Sequence, residues 1–438
     1  MTDTERAMLA AVVADPGDDT VRLAFADCIE EHGNAARAAF IRLQVVAERL
    51  HPHSNARAKL EAQAEALFAE HWIDWWGELC AAVGLPMPSE PPAGFLGWIA
   101  RWFDSSRPAA APYRREGLTV YATHAYDSGH TREFSRVSFR RGFPEAVWIT
   151  LAPPPALEGW SAVSPLTELD CESVYWAGWD DGPHLGSLRS LHLYNYDPTV
   201  LFSILESPHT GQLEEFRLTI AEEDYSSNEF ITPEIIRALS LPRVRNLKRL
   251  AIPLWSYSLA EAVGSAPTLA GLESLEIDCY TDSQHDGLQA GDWIAALARS
   301  PFLAGLQELT VRGFNASVIA LRNGAWTGLK KLHLDAVFTD ENLGALAGLE
   351  GFPALDELWI SRMRLDDTAG ILLRSPLMKR IRHFSLAGRF QNAAHIATLA
   401  DAVNLERIET FALNLPGIPP EIVDLLRAKL GDRLRLMS

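Results

Sequence analysis

The chain has 438 residues, of which 47% are hydrophobic and 22% charged, a balance typical of folded globular proteins and not of disordered or collagen-like chains. Its 57 acidic and 39 basic side chains give a formal net charge of −18, which disfavours binding to phosphate backbones and predicts no direct nucleic-acid partner.

Cysteine usage and hydropathy predict a reduced, cytoplasmic protein. The four cysteines, Cys28, Cys80, Cys171 and Cys279, lie tens of residues apart without a CxxC pair, so neither a zinc ribbon nor a dense disulfide framework is predicted. The first residues carry no basic leader, and no apolar run reaches the ~18 residues of a transmembrane helix. We therefore expect neither secretion nor a membrane partner.

Helical periodicity dominates residues 1–83. Thr2 and Glu5 form a capping-box pattern at the start of a first helix. Two amphipathic helices follow, and a fourth begins after the break at His51-Pro52. The residues that we assign to the buried faces of the second and third helices are Val21, Phe25, Cys28, Ile29, Phe40, Leu43, Ala47 and Leu50.

Charged and aromatic side chains in this region have mainly structural interpretations. We predict ion pairs that hold the second helix to the third, formed by Asp27, Glu30, Arg37 and Arg42. The five tryptophans at 72, 75, 76, 98 and 102 are expected to form a core, and an exposed partner site is the alternative.

Residues 84–117 are rich in proline, alanine and glycine and are predicted to form a connection that contains a short helix. Period-two patterning in residues 118–156 then predicts β-strands joined by a glycine-containing turn. We interpret this segment as a β-rich cap at the start of a repeat array.

An internal repeat covers residues 157–418. Ten units of the pattern LxxLxL begin at 166, 188, 213, 247, 272, 306, 329, 355, 381 and, more weakly, 405, with a mean step of (405 − 166)/9, or about 27 residues. Because side chains alternate along a strand, the leucines of LxL point into one core and their neighbours point to the opposite face. Helical patterns such as TPEIIRALS and DWIAALARS return the chain, and residues 419–438 are predicted to form a C-terminal cap with a last helix and an edge strand.

The segment LHLDAVFTDENLGALAGLEGFPALDELWI resembles the leucine-rich repeats of the ribonuclease-inhibitor class. That resemblance implies an α/β horseshoe solenoid, with parallel strands inside and helices outside. The asparagine that ordinarily follows LxL is absent, and Tyr196, Trp255 and Tyr280 are among its replacements.

The segment DPGDDTVRLAFADCIEEHGNAARAAFIRLQ resembles the bacterial repeat-companion domain, an α-helical domain that precedes repeat arrays and has no established activity. The phrases FRRGFPEAV and LRAKLGDRLRL resemble that family's transitions into and out of the array. The matching residues are Asp18, Arg22, Leu23, Ala26, Asp27, Glu30, Gly33, Arg37 and the run 40–44, whereas Phe25, Cys28 and Ala39 depart from the family pattern.

No catalytic, cofactor or metal site is predicted. Cys28 and His32 are one helical turn apart and could form a nucleophile and its base, but Cys28 lies on an apolar stripe, where packing is the simpler interpretation. His51 and His53 could ligate a metal, but no further spaced ligands accompany them. The strings of common enzyme classes, such as GxxxxGK(S/T), GxSxG and HExxH, are absent.

Two repeats are about nine residues longer than their neighbours, and their surplus, AEEDYSSNEF and DCYTDSQHDGLQAGD, follows the strand in both. We hypothesise that the concave face and this rim bind a protein partner that contributes a basic segment, although a merely solvated face with two tolerated insertions is the alternative. The predicted partner-binding residues are Tyr194, Tyr196, Arg217, Glu222, Glu223, Asp224, Tyr225, Trp255, Tyr257, Glu276, Asp278, Tyr280, Asp282, His285, Asp286 and Trp359.

These observations favour a non-enzymatic protein–protein interaction module, acting in a bacterial regulatory or defence assembly. The alternatives are a ligase-like effector enzyme, in which the repeats select a substrate and a cysteine transfers it, and a structural spacer.

Overall fold

The structure is a computed structural model. Its chain forms two compact units, Met1–Leu213 and Glu214–Ser438, and each is described by itself. The residues described are 1–50, 55–83, 113–116, 118–125, 131–150, 160, 163–172, 183–194, 204–219, 228–279, 290–313, 318–324, 326–335, 338, 340–349, 351–365, 369–390 and 407–437.

The fold is α/β with mostly parallel strands. In the first unit the helices are α1 (Asp3–Ala14), α2 (Asp19–Glu31), α3 (Ala35–Glu48) and α4 (Asn55–Val83). Its strands are β1 (Tyr113–Glu116), β2 (Thr119–Ala125), β3 (Thr131–Arg140), β4 (Phe143–Thr150), β5 (Glu168–Glu172) and β6 (Ser190–Tyr194). They are hydrogen-bonded in chain order: β1 to β4 pair antiparallel, and β4, β5 and β6 pair parallel.

The first helices begin at the caps that the sequence predicts. The Thr2 hydroxyl accepts the Glu5 N–H at 3.2 Å and the Glu5 carboxylate accepts the Thr2 N–H, which confirms the capping box. The apolar face of α2 is confirmed at Phe25 and Ile29, which are buried. The predicted face of α3 is confirmed at Phe40 and Ala47, whereas Leu43 and Leu50 are only half-buried. The prediction omitted three buried residues of this helix, Ala38, Ile41 and Val45.

Arg42 forms the predicted ion pairs with Asp27 and Glu30, both at 2.6 Å. The prediction was wrong for Arg37, whose guanidinium is buried against aromatic rings. The guanidinium carbon lies 4.7 Å from the Trp75 ring centroid and 5.6 Å from that of Phe139. Burial lowers the pKa of Arg37 to about 10, so this cation acts as part of a core and not as a surface clamp.

The tryptophans at 75 and 76 belong to that core, as predicted, because both are buried, and Trp72 is half-buried. Trp98 and Trp102 lie outside the described residues.

The turn between β3 and β4 connects the helices to the sheet. Arg141 and Gly142 have φ of 44° and 91°, and a Cβ on Gly142 would meet Ile41 of α3 at 2.1 Å, so only glycine fits there. The Gln44 side chain accepts the Gly142 N–H and donates to the Phe139 carbonyl at 3.4 Å. The turn is therefore held by α3 on both sides.

A buried ion pair completes this junction. Arg22 of α2 and Glu145 of β4 are paired at 2.5 Å, and both side chains have no exposed area. Arg22 also donates to the Pro16 carbonyl at 2.7 Å, and the Glu145 backbone carbonyl accepts the Thr167 N–H at 3.0 Å. Burial raises the pKa of Glu145 and lowers that of Arg22, and each charge opposes the shift of the other.

We predict that Arg22→Met lowers the free energy of unfolding by about 3–5 kcal/mol, because it leaves a buried carboxylate without its cation. Chemical denaturation followed by circular dichroism measures the change. The matched control is Arg42→Ala, which removes more exposed ion pairs between α2 and α3 and should cost less than about 1 kcal/mol. Equal effects of the two substitutions would contradict the role given to the buried pair.

Within the second unit, neighbouring strands pair parallel in chain order. Its strands are β7 (Glu215–Thr219), β8 (Arg249–Leu254), β9 (Ser274–Cys279), β10 (Glu308–Arg312), β11 (Lys331–Asp335), β12 (Glu357–Leu365), β13 (His383–Phe390), β14 (Thr410–Asn414) and β15 (Leu434–Leu436). Its helices are α5 (Asn228–Leu239), α6 (Tyr257–Ser265), α7 (Ala290–Ala298), α8 (Asp340–Ala347), α9 (Ala369–Leu373) and α10 (Pro420–Leu430). The predicted last helix and terminal edge strand are α10 and β15.

Burial follows the prediction at the apolar positions of the repeat, although β8 is buried at five consecutive positions. In the units that begin at 166 through 381, each of the three apolar positions of LxxLxL is buried. The strand residues between and beside them form the opposite surface of each sheet, which we call the open face. The predicted helix at 392–402 lies outside the described residues.

The tenth unit is shifted by three residues from its prediction. The register pairs Phe384 of β13 with Phe411 and His383 with Thr410, so the unit begins at Ile408 and not at 405. Phe411, which the sequence pattern assigned to the concave face, is fully buried and contacts the Phe384 ring at a centroid distance of 5.4 Å. Pairing with the preceding strand decides between the two registers.

We predict that Phe411→Ala lowers the free energy of unfolding by about 3–5 kcal/mol, because it leaves a cavity in the core. Asn414→Ala, on the open face of the same strand, should change it by less than about 0.5 kcal/mol. Thermal or chemical denaturation compares the two variants. If Phe411→Ala left the free energy of unfolding unchanged, the result would favour the register that begins at 405.

Candidate functional site

The open face of the second unit presents rows of side chains that run across the strands. The register aligns one residue from each strand in a middle row. From β7 to β14 this row is Arg217, Ala251, Glu276, Thr310, His333, Trp359, Ser385 and Ala412. Neighbouring strands are ~4.8 Å apart, so adjacent members of the row are in contact range.

Arg217 and Glu276 form a two-point ion pair across an intervening strand. The two guanidinium nitrogens of Arg217 lie 2.9 and 3.0 Å from the two carboxylate oxygens of Glu276. Between them in the row is Ala251, which is 8% exposed. Its small side chain leaves room for the arginine to cross β8. Two of the predicted partner-binding residues are therefore bonded to each other.

Arg312 of β10 adds a second cation to this group, because it pairs with Glu276 at 2.5 Å and lies 3.9 Å from Asp278. Burial raises the pKa of Asp278, and the nearby Arg312 opposes that shift. The predicted carboxylates at 276 and 278 are thus balanced by arginines of the same chain.

A β-bulge places a further arginine on the open face. The register between β12 and β13 shifts between Ile360 and Met363, and Arg362 has φ of 57°. Its side chain reaches back to Asp335 of β11 at 2.8 Å. No strand periodicity predicts this residue, because the bulge inserts one extra position.

Trp359 is the exposed aromatic side chain of this row, with 40% of its area accessible. The His333 ring lies edge-on to it at a centroid distance of 4.6 Å and an interplanar angle of 76°. His333, 3.7 Å from the Glu357 carboxylate, lowers the pKa of Glu357. On the other side Ser385 carries a buried hydroxyl that has no hydrogen-bond partner among the described residues. Trp359 thus stands between two polar neighbours on paired strands.

The remaining predicted site residues have separate places. Trp255 donates its indole N–H to the Thr232 hydroxyl at 2.8 Å, so it ties the end of β8 to α5. Tyr257 is the first residue of α6, and Tyr194 lies in the first unit, 3.8 Å from the His192 ring. Those that lie outside the described residues are Tyr196, Glu222, Glu223, Asp224, Tyr225, Tyr280, Asp282, His285 and Asp286.

The structure does not assemble a thiol and a base at Cys28. The His32 Nδ1 donates to the Cys28 carbonyl at 2.7 Å, so it cannot accept the thiol proton, and the sulfur lies 3.9 Å away. Burial raises the pKa of Cys28 and Cys171, and raises that of Cys279 to about 12. All four cysteines are buried, which is the environment of inert thiols.

The pair His51 and His53 lies outside the described residues, and the described part of the chain contains no group of three metal-ligating side chains.

We predict that the native thiols react with a thiol-specific chromogenic reagent on the order of 100-fold or more slowly than the unfolded chain does, because reaction requires local opening. Absorbance at pH 8 follows the reaction with and without denaturant, and four equivalents should be released in denaturant. One rapid equivalent in the native protein would identify an accessible thiol and favour the cysteine-transfer alternative.

Comparison with known proteins adds no assignment: no family model matches the chain, and no curated protein matches it significantly. Among the helices that the structure describes, none combines the length and apolar character needed to cross a membrane.

Proposed function

We propose that this chain is a non-enzymatic protein-interaction module that recognises a protein partner on the open face of its parallel strands. The architecture we propose is a leucine-rich repeat horseshoe of the ribonuclease-inhibitor class, preceded by a helical repeat-companion domain. Its setting would be a cytoplasmic bacterial assembly for regulation or defence.

The observation that carries this proposal is the exposure of Trp359. A tryptophan held on a central strand loses little conformational entropy on binding and offers a large amphipathic area, which is why tryptophan is enriched at interface hot spots. Its strand pairs on both sides with β11 and β13, so the backbone beneath it is held. Repeat arrays bind partners on such broad surfaces.

The charges around Trp359 and Glu276 support recognition by complementarity. Arg217, Arg312 and Arg362 are each paired with a carboxylate of the same chain, so their positions are set before a partner arrives. A basic segment of a partner would replace these arginines as the ion-pair partners of the carboxylates. We therefore place the anchor at Trp359 and give the ion pairs the role of fixing orientation.

The alternatives receive less support. A cysteine-transfer enzyme needs an accessible thiolate, whereas the four cysteines are buried. A structural spacer does not need an exposed tryptophan on a central strand.

The test is affinity capture from cells of the source organism with three forms of the chain, followed by binding kinetics with the purified partner. We predict that Trp359→Ala loses about 2 kcal/mol of binding free energy or more, a roughly 30-fold weaker Kd, mainly through faster dissociation. The matched control is Ile371→Ala, an exposed apolar residue on α9, which should bind as the unchanged chain does.

The circular dichroism spectrum and melting temperature of each variant show whether the fold is kept. Unchanged kinetics in a folded Trp359→Ala variant would move the binding surface away from the middle row.

A further inference from the structure

A trough on the open face of the first unit has features of a binding site that the proposed function does not use. The floor is made of small side chains aligned by the register, Thr119 of β2, Ser138 of β3 and Ala146 of β4. The Thr119 and Ser138 hydroxyls are hydrogen-bonded at 3.0 Å. The cavity above them has a volume of about 180 Å³.

One wall of the trough is a stacked pair of side chains. Arg136 of β3 and Trp148 of β4 are partners in the antiparallel register, and the guanidinium carbon lies 5.3 Å from the indole ring centroid. A cation–π contact of this kind involves the guanidinium as a charge over the ring and uses none of its N–H donors. Those donors can bind a carboxylate at two points.

The charged side chains that line the trough differ in their ion-pair partners. Arg140 is paired with Glu168 of β5. Asp170 lies on the far side of Trp148, about two strand spacings or ~10 Å from Arg136, and faces the His192 imidazole at 3.7 Å. Among the side chains that the structure describes, no carboxylate lies within ion-pair distance of Arg136. Arg136 therefore differs from Arg140 in having no carboxylate partner in the described part of the chain.

We infer that this trough binds one carboxylate, held by the edge of Arg136 above the Thr119 and Ser138 hydroxyls. A single positive charge and a cavity of this size fit a carboxylate better than a dianionic phosphate. An acidic side chain of a protein segment and a small carboxylic acid offer the same chemistry. This inference concerns the first unit and stands or falls separately from the surface around Trp359.

The experiment uses the full chain and saturation-transfer NMR, which detects ligands that bind with a Kd on the order of 1 mM. The probes are N-acetylglutamate α-amide, its neutral glutamine analogue and the tripeptide acetyl-Ala-Glu-Ala-amide. We expect the glutamate probe to give a saturation signal several-fold above that of the glutamine probe. If the tripeptide gives a several-fold stronger signal than the glutamate probe, the natural ligand is a protein segment. If the tripeptide and the glutamate probe give equal signals, the natural ligand is a small acid.

Two substitutions test the site itself. Arg136→Gln removes the charge, and Trp148→Leu removes the stacking surface, so both should reduce the glutamate signal to the level of the glutamine probe. The matched control is Arg249→Gln in the second unit, whose guanidinium is paired with Glu215 at 3.0 Å and which should leave the signal unchanged.

Equal signals from the glutamate and glutamine probes in the unchanged chain would overturn the inference, as would a full glutamate signal in a folded Arg136→Gln variant. Displacement of the glutamate probe by inorganic phosphate at a lower concentration than by acetate would also overturn it, because the site would then prefer a phosphate.

Discussion

The burial of one ion pair, Arg22 with Glu145, determines how the first unit is assembled. Removing two charges from water costs several kcal/mol for each ion, and only a complete set of partners offsets that cost. Those partners come from three places in the sequence: the carbonyl of Pro16, the turn residue Arg141 and Thr167 before β5. The helices, the β3–β4 hairpin and the segment before β5 therefore have to come together for all of these groups to be satisfied.

In the second unit, the corresponding constraint is the alternation of side chains between the two faces of each strand. Because the apolar positions of the LxxLxL units are buried, the charged residues between them are directed to the open face, where strands ~4.8 Å apart bring opposite charges together. Most of the charge on this face is consequently paired within the chain, as for Arg217 and Glu276. The exposed side chain of Trp359 is then the feature that sets one part of the open face apart from the rest. We therefore expect this surface to select partners by shape and aromatic contact more than by net charge.

Features that depend on local periodicity can be predicted from the sequence. Features that depend on contacts between distant segments cannot. Strand positions in nine units, the capping box and the burial of Trp75 and Trp76 follow from spacing alone. The tenth unit could not be placed, because its letters fit the template in two registers and only pairing with β13 separates them. The environment of Arg37 depends on Phe139, about a hundred positions away, and Arg362 reaches the open face through a bulge that leaves no periodic signal.

One structural device recurs in both units and explains where charge is balanced and where it is not. Arg217 crosses Ala251 to reach Glu276, and Arg140 reaches Glu168, whose register partner on β4 is the small residue Ala146. An arginine spans two strand spacings, ~10 Å, only if the strand between offers a small side chain. Arg136 has Trp148 as its neighbour instead. The indole blocks the crossing and holds the guanidinium by its face, so the residue that prevents internal pairing is also the one that leaves this cation available to a ligand.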